Sequence, residues 1–440
     1  MNLIRRLRAG STPWAFPLVI GLILLYFFKS FAIDYKVPDH QPKYAPSVTS
    51  SVLLSFYSLS YAISSSLSAW ESGRLKANGV WEIAPSRSRI GIAFNVLAPV
   101  VALSWLMLVL PVAMALIATD TAPTLGVLPL LIMAMFVTTA HSVVGFGIGL
   151  RVPRLIATPI LAVGVFFFIS ASWSYEPFWI RHISGQFPVD LMFAESANII
   201  SLTPHILFIG SFALGIVTLS IPSFSKVSRS CITTAACAIW VFGLLAPYAI
   251  AKNWGAVPPL SAGNVAMECS EQSPEVCLPA GTGTEAASAR AEIVVALEKL
   301  KGAGVPVEAP QSVIDSVVNR RHPVPSTRSR WQLPLIASQQ EGTTQLQVVR
   351  KVTEPPCRNS VSDIHARSIL LWSAGIVGQQ DNYLRQQRLE LSNFKNREEI
   401  IALEEKRVAR VQSMSPAAQL EWYKKERKQA CEPKQQTGAN

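Results

Sequence analysis

The sequence predicts an α-helical polytopic membrane protein with about seven transmembrane helices, followed by a C-terminal extracytoplasmic domain that is mainly helical or α+β. Three observations carry this prediction. Charge is scarce: 15% of the 440 residues are Asp, Glu, Lys or Arg, against about 25% in a soluble chain. It is also unevenly spread. Residues 1–252 hold 16 Lys/Arg and 8 Asp/Glu, while residues 253–440 hold 23 and 20. Finally, apolar runs near the bilayer-spanning length of about 20 residues recur only in the first part. The chain therefore divides into a transmembrane domain, 1–252, and a soluble domain, 253–440. A single soluble globule, a disordered chain and a purely membranous one are all excluded.

The spans follow in order. Pro13–Ile33, centred on FPLVIGLILLYFF, comes after Arg5, Arg6 and Arg8. No convincing small-residue cleavage site follows it, so it reads as an uncleaved signal anchor. Ser47–Trp70 is rich in Ser and is the weakest by hydropathy. Ile90–Leu116, Val127–Leu150, Leu155–Ser172, Ile199–Ser220 and Cys231–Ala251 complete the set. With the N-terminus inside, the inner loops carry Arg5, Arg6, Arg8, Arg74, Lys76, Arg87, Arg89, Arg151, Arg154, Lys226 and Arg229, which is 11 cations against 4 outside (Lys29, Lys36, Lys43 and Arg181). That bias orients the chain in a bacterial cytoplasmic membrane, N-terminus inside. Seven crossings then put the C-terminal domain outside. The net charge of +11 is thus mostly a topology signal. Its cations sit beside apolar runs rather than on one folded face, and no nucleic-acid partner is expected.

Within the spans, His141 is the conspicuous polar residue, with Thr138 and Thr139 before it. No acidic group lies inside any span, so hydrogen bonding between helices is a better role for it than proton relay. Gly145 and Gly149 follow with the spacing that lets helices approach closely.

Two loops stand out. Glu71–Arg89 (ESGRLKANGVWEIAPSRSR) is the longest inner one, with Arg74, Lys76, Trp81, Arg87 and Arg89. It reads either as an interfacial loop or as a short helix docking a cytoplasmic partner. Trp173–Asn198 is aromatic and reads as an outer interfacial belt, with short re-entrant or surface helices as the alternative.

In the C-terminal part, 253–279 reads as loop. Glu285–Leu300 is an amphipathic helix that stops at Gly302–Pro310. Gln311–Arg320 is a second helix. Trp331–Ile336 and Thr344–Val352 have β-like patterning. Val361–Ile376 is helical, Asn382–Gln412 is a longer helix, and Ser415-Pro416 opens a last one. Cys269, Cys277, Cys357 and Cys431 are an even set in an exported domain, which suggests disulfides. A local Cys269–Cys277 bridge would leave Cys357–Cys431 to clip a long loop; four free thiols are the alternative. No GxxxxGK[ST] is present, no HExxH, CxxC or GxSxG occurs in the tail, and His322 and His365 are isolated there, with no paired metal-ligand spacing. No enzyme activity, metal or cofactor is expected.

The order of spans, with Glu71–Arg89 as a basic segment after the second and Trp173–Asn198 before the sixth, resembles the permease subunits of type-2 ABC exporters. WESGRLKANGVWEIAPSRSR, the following IGIAFNVLAPVVALSWLMLVLP, the Cys269…Cys277 pair and SPAAQLEWYKKERKQAC also resemble a group of actinobacterial multi-span proteins with an exported Cys-containing tail. The exporter resemblance implies a membrane-spanning permease-like subunit, working as a homo- or hetero-dimer in the lipid bilayer. A separate cytoplasmic ATPase would dock at 71–89, and the external domain would gate or hand off cargo. The seventh span and the large external domain depart from that pattern. The alternative is a non-transporting membrane anchor that displays an interaction domain.

Overall fold

The computed structural model describes residues 10–31, 43–83, 88–221, 225–319, 321, 324–355, 357 and 363–431. The chain forms two compact units whose boundary falls between Asn264 and Val265, twelve residues beyond the expected one. The shift has a physical cause. Strand β2 (Leu260–Ala262) pairs antiparallel with β1 (Glu195–Ala197), so the chain after the last long helix still belongs to the first unit.

The first unit contains α1 (Thr12–Tyr26, continuing as a π turn over Phe27–Phe31), α2 (Ala45–Ala77), a one-turn α3 (Val80–Ile83), α4 (Arg89–Ala118), α5 (Leu128–Gly149), α6 (Arg154–Ser170), α7 (Ile199–Leu219) and α8 (Lys226–Ala251). Six helices among the described residues are long and apolar enough to cross a membrane. The expected 155–172 span is α6, apolar but only 17 residues long, or about 25 Å at 1.5 Å per residue. It lies at the short end of the spanning range, and the seven-span count rests on it. Side-chain oxygens of Ser88, Asn198 and Ser225 accept backbone N–H bonds at the starts of α4, α7 and α8, which fixes where those helices begin.

The Ser-rich second span is the centre of the bundle. Helix α2 packs against α4, α5 and α6. Its weak hydropathy is explained by this position, because its neighbours, not lipid, cover it. Its hydroxyls bond across helices: Ser60 Oγ to the Ser104 carbonyl (3.0 Å), and Ser64 Oγ to the Thr138 carbonyl (2.8 Å). Backbones meet where Gly145 and Gly149 face it. A Cβ at Gly145 would lie 2.1 Å from the Ser65 carbonyl oxygen, and one at Gly149 would lie 2.3 Å from that of Ala69. The glycines let van der Waals packing and hydroxyl pairing hold the helices together.

The second unit is built on a four-stranded sheet, in the order β3 (Met267–Cys269), β4 (Glu275–Pro279), β5 (Ser312–Asp315), β6 (Arg330–Leu333). The β3–β4 pair is antiparallel and the other two pairs are parallel. Helix α9 (Ala286–Gly302) makes the crossover between β4 and β5 and buries Ile293, Ala296 and Leu300 against Val276, Val313 and Leu333. Helices α10 (Leu335–Gln340), α11 (Thr344–Thr353), α12 (Asp363–Val377), α13 (Gln380–Glu390), α14 (Arg397–Gln412) and α15 (Pro416–Gln429) complete it.

Four sequence expectations are corrected here. Gln311–Arg320 is not a helix but strand β5 and a 3-10 turn (Ser316–Asn319). Its short apolar run fits either period, and a parallel slot between β4 and β6 decides for strand. Thr344–Val352 is helix, not strand: TQLQVV alternates, but Leu346, Val349 and Thr353 also recur at helical spacing, and the helix packs on α9 and α12. Asn382–Gln412 is two helices, broken in the stretch holding Ser392, Asn393 and Asn396, residue types that favour turns. The 253–279 stretch holds three strands rather than loop alone.

Candidate functional site

The segment expected to be an inner loop, 71–89, is largely built into the bundle. Helix α2 continues through Ala77, so Arg74 and Lys76 lie on its last turns. Arg74 pairs with Glu71 at 2.6 Å, and the Glu71 side chain is 2% exposed. Arg74 therefore neutralises a buried carboxylate. Trp81, on α3, stands edge-on to Phe146 of α5, with ring centroids 6.5 Å apart. Arg89 opens α4. Arg87 lies outside the described residues, as do Arg5, Arg6, Arg8 and His322.

Three of the expected residues come together in one cavity. Lys76, Trp81 and Arg89 line a space of about 570 Å³ with Phe94, Phe146 and Arg151. Lys76, Arg89 and Arg151 are exposed, and Arg151 is held by a 2.9 Å bond from its guanidinium to the Gly147 carbonyl. No carboxylate lines the cavity among the described residues. A second, apolar cavity of about 630 Å³ runs beside α5, α7 and α8, lined by Phe136, Leu214 and Phe242 among others. Val143 and Val217 belong to both linings. Sequence reasoning counted Arg151 only as a topology charge. Its place in the cavity comes from the turn after α5, which no local signal reports.

The aromatic stretch between α6 and α7 divides in two. Trp173 is 61% exposed, as an interfacial belt requires. The chain then descends into the bundle. His182, Ile183, Ser184, Gln186, Phe187, Val189 and Leu191 are buried there, in irregular backbone. Helix α2 records the depth. The Leu191 N–H donates to Ser50 Oγ (2.9 Å), whereas the Gly185 carbonyl accepts from Tyr61 Oη (2.8 Å). Those two α2 positions are eleven residues apart, or about 16 Å along a helix. Gly185 also donates its N–H to His205 Nδ1 (3.1 Å), and the Tyr61 ring stacks on His141 (centroids 5.1 Å, 13° apart). The contact His141 makes across helices is thus this stacking on Tyr61 rather than the expected hydrogen bond, and the hydroxyl pairs Ser60–Thr138 and Ser64–Ser142 form a polar seam beside it. The re-entrant alternative for Trp173–Asn198 allowed an inward turn, but residues 182–191 enter as irregular backbone rather than as short helices, and no local pattern in HISGQFPVDL marks that form.

In the second unit, Cys269 is bonded to Cys277 across the β3–β4 pair and Cys357 to Cys431. Cys269, Glu275 and Cys277 lie close enough to hold an ion, but the disulfide consumes both thiols and leaves one carboxylate. His365 sits in an ion-pair cluster: its Nδ1 lies 2.6 Å from Glu426, which Arg407 also holds with 2.7 Å bonds. Glu404, fully buried, is bound by Arg367 and Gln387. These pairs tie α12 to α14 and α15, and α13 to α14, and their partners are side chains of the same domain. They read as structure rather than chemistry.

No protein-family model, curated protein or solved structure matches the chain.

Proposed function

We propose that this chain is the membrane-spanning, permease-like subunit of an ABC-type export system, with its basic end inside and its disulfide-clipped domain outside. One observation carries the reading: the segment 182–191 folds back into the bundle as irregular buried backbone. Such backbone is tolerated among membrane helices where protein buries it or a path is lined by it, and it is a recurring feature of channels and transporters. The tip is held by two side chains from two helices, Tyr61 of α2 and His205 of α7, which can release it by breaking two hydrogen bonds. The chain has no Walker A loop, so energy comes from a separate ATPase acting at the basic end, as the exporter resemblance implies. The external domain then gates or hands off cargo, and a second copy or a homologous subunit completes the path. The test is purification in mild detergent from the native host, with mass spectrometry of what accompanies the chain. A stoichiometric Walker-A ATPase is the expected result. Recovery without any ATPase overturns the reading.

A second reading, a membrane anchor that displays an interaction domain, is favoured by one fact. The C-terminal unit has its own core and two disulfides. Recovery with envelope proteins bound to the tail, and no ATPase, would select it.

A further inference from the structure

We infer that the basic cavity at the ends of α2, α4 and α5 holds the phosphate of an anionic phospholipid, with an acyl chain of the same molecule lying in the adjoining apolar groove. The shape and the charge agree on this occupant. Lys76, Arg89 and Arg151 converge on one cavity with no opposing carboxylate among the described residues. Three unopposed cations favour a phosphate, and arginine offers it paired N–H donors. The remaining wall is aromatic and aliphatic, with Trp81, Phe94 and Phe146 beside the cations. Trp81, edge-on to Phe146, closes the aromatic side of that wall. Free phosphate would leave the apolar part unexplained. The neighbouring groove shares Val143 and Val217 with the cavity and runs on past Phe136, Leu214 and Phe242. A headgroup on cations with a tail along an apolar channel is the arrangement of a basic lipid pocket between membrane helices. The inference stands apart from the export reading: a chain that recruits no ATPase could still hold the lipid.

The experiment uses the purified full-length chain in detergent, delipidated and then offered phosphatidylglycerol, phosphatidylcholine or inorganic phosphate, with retention read by native mass spectrometry. The wild type is expected to retain phosphatidylglycerol about tenfold better than phosphatidylcholine, the scale of one charge-assisted hydrogen bond. Inorganic phosphate at equal concentration is expected not to displace it. The changes Lys76→Gln, Arg89→Gln and Arg151→Gln, singly and together, are expected to remove the preference. Leu214→Trp, which narrows the groove, is expected to weaken retention of both lipids. Equal retention of the two lipids by the wild type overturns the inference, and so does full displacement by inorganic phosphate. Should the triple variant fail to reach the membrane, the single variants and the wild-type comparison still decide.

Discussion

Gly185 sits at φ +94°, and a Cβ there would lie 2.9 Å from Val137 and 3.2 Å from Tyr61. Both facts restrict the position to glycine. Gly185→Ala is expected to cost about 1–3 kcal/mol through backbone strain and crowding, read as a lower melting temperature in detergent. Tyr61→Phe keeps the stacking on His141 and removes only the donor to the Gly185 carbonyl, for a loss of about 1–2 kcal/mol. In the C-terminal domain, burial raises the Asp315 carboxyl above its usual range, although the backbone N–H groups of Val317 and Ile336 donate to it. A carboxyl whose folded pKa is raised contributes most below its unfolded pKa, and that contribution is lost as pH rises through the folded value. Asp315→Asn is therefore expected to flatten that acid-side dependence, and to lower stability because one of the two oxygens no longer accepts. Unfolding followed from pH 3 to 7 checks both. At this scale the sequence was uneven. The four tail cysteines were legible because an even set in a charge-rich domain suggests disulfides, and both bridges are present. The place of Arg151 was not, because a cation in a two-helix turn looks the same whether it faces lipid or a cavity.

Helix α2 shows why element type was easier to read than element role. Its length and apolarity marked a span, yet its serines made it look the most marginal, when its neighbours bury it most completely. Hydropathy measures fitness for lipid, and a central helix does not face lipid. The glycine spacing in α5 was more informative, because close approach has a sequence signature. Gly145→Leu is expected to prevent assembly of the bundle, since its Cβ alone would overlap the Ser65 carbonyl. Gly164→Ala on α6, where the added carbon meets nothing within 4 Å, is the matched control with little expected effect. Membrane yield and thermal stability separate the two. In the tail, the misread elements β5 and α11 are short runs whose local pattern fits both periods. Arg367→Met would leave Glu404 buried with Gln387 alone, at an expected cost of about 3 kcal/mol.

At the scale of the molecule, the two disulfides close loops of different length, with cysteines 8 and 74 residues apart. In the chain-entropy account the longer loop stabilises by about 4.5 kcal/mol and the shorter by about 2.5. Replacing both Cys357 and Cys431 by Ser is thus expected to destabilise the C-terminal domain more than replacing Cys269 and Cys277, which thermal unfolding in detergent would rank. The division into a charge-poor and a charge-rich part was plain in composition. Its boundary was displaced because β2 pairs back onto β1, a long-range contact that composition does not report. The sidedness of the chain links these scales, because the proposed export, the proposed coupling at the basic end and the proposed outside placement of the bridged domain all depend on it. The most direct test is labelling of intact cells with a membrane-impermeant maleimide, in a Cys231→Ser, Cys237→Ser background carrying Lys76→Cys. The tail thiols are expected to label in intact cells once an impermeant reductant opens the disulfides, and position 76 only after permeabilisation. Labelling of position 76 in intact cells, with tail thiols reached only after permeabilisation, would contradict the account.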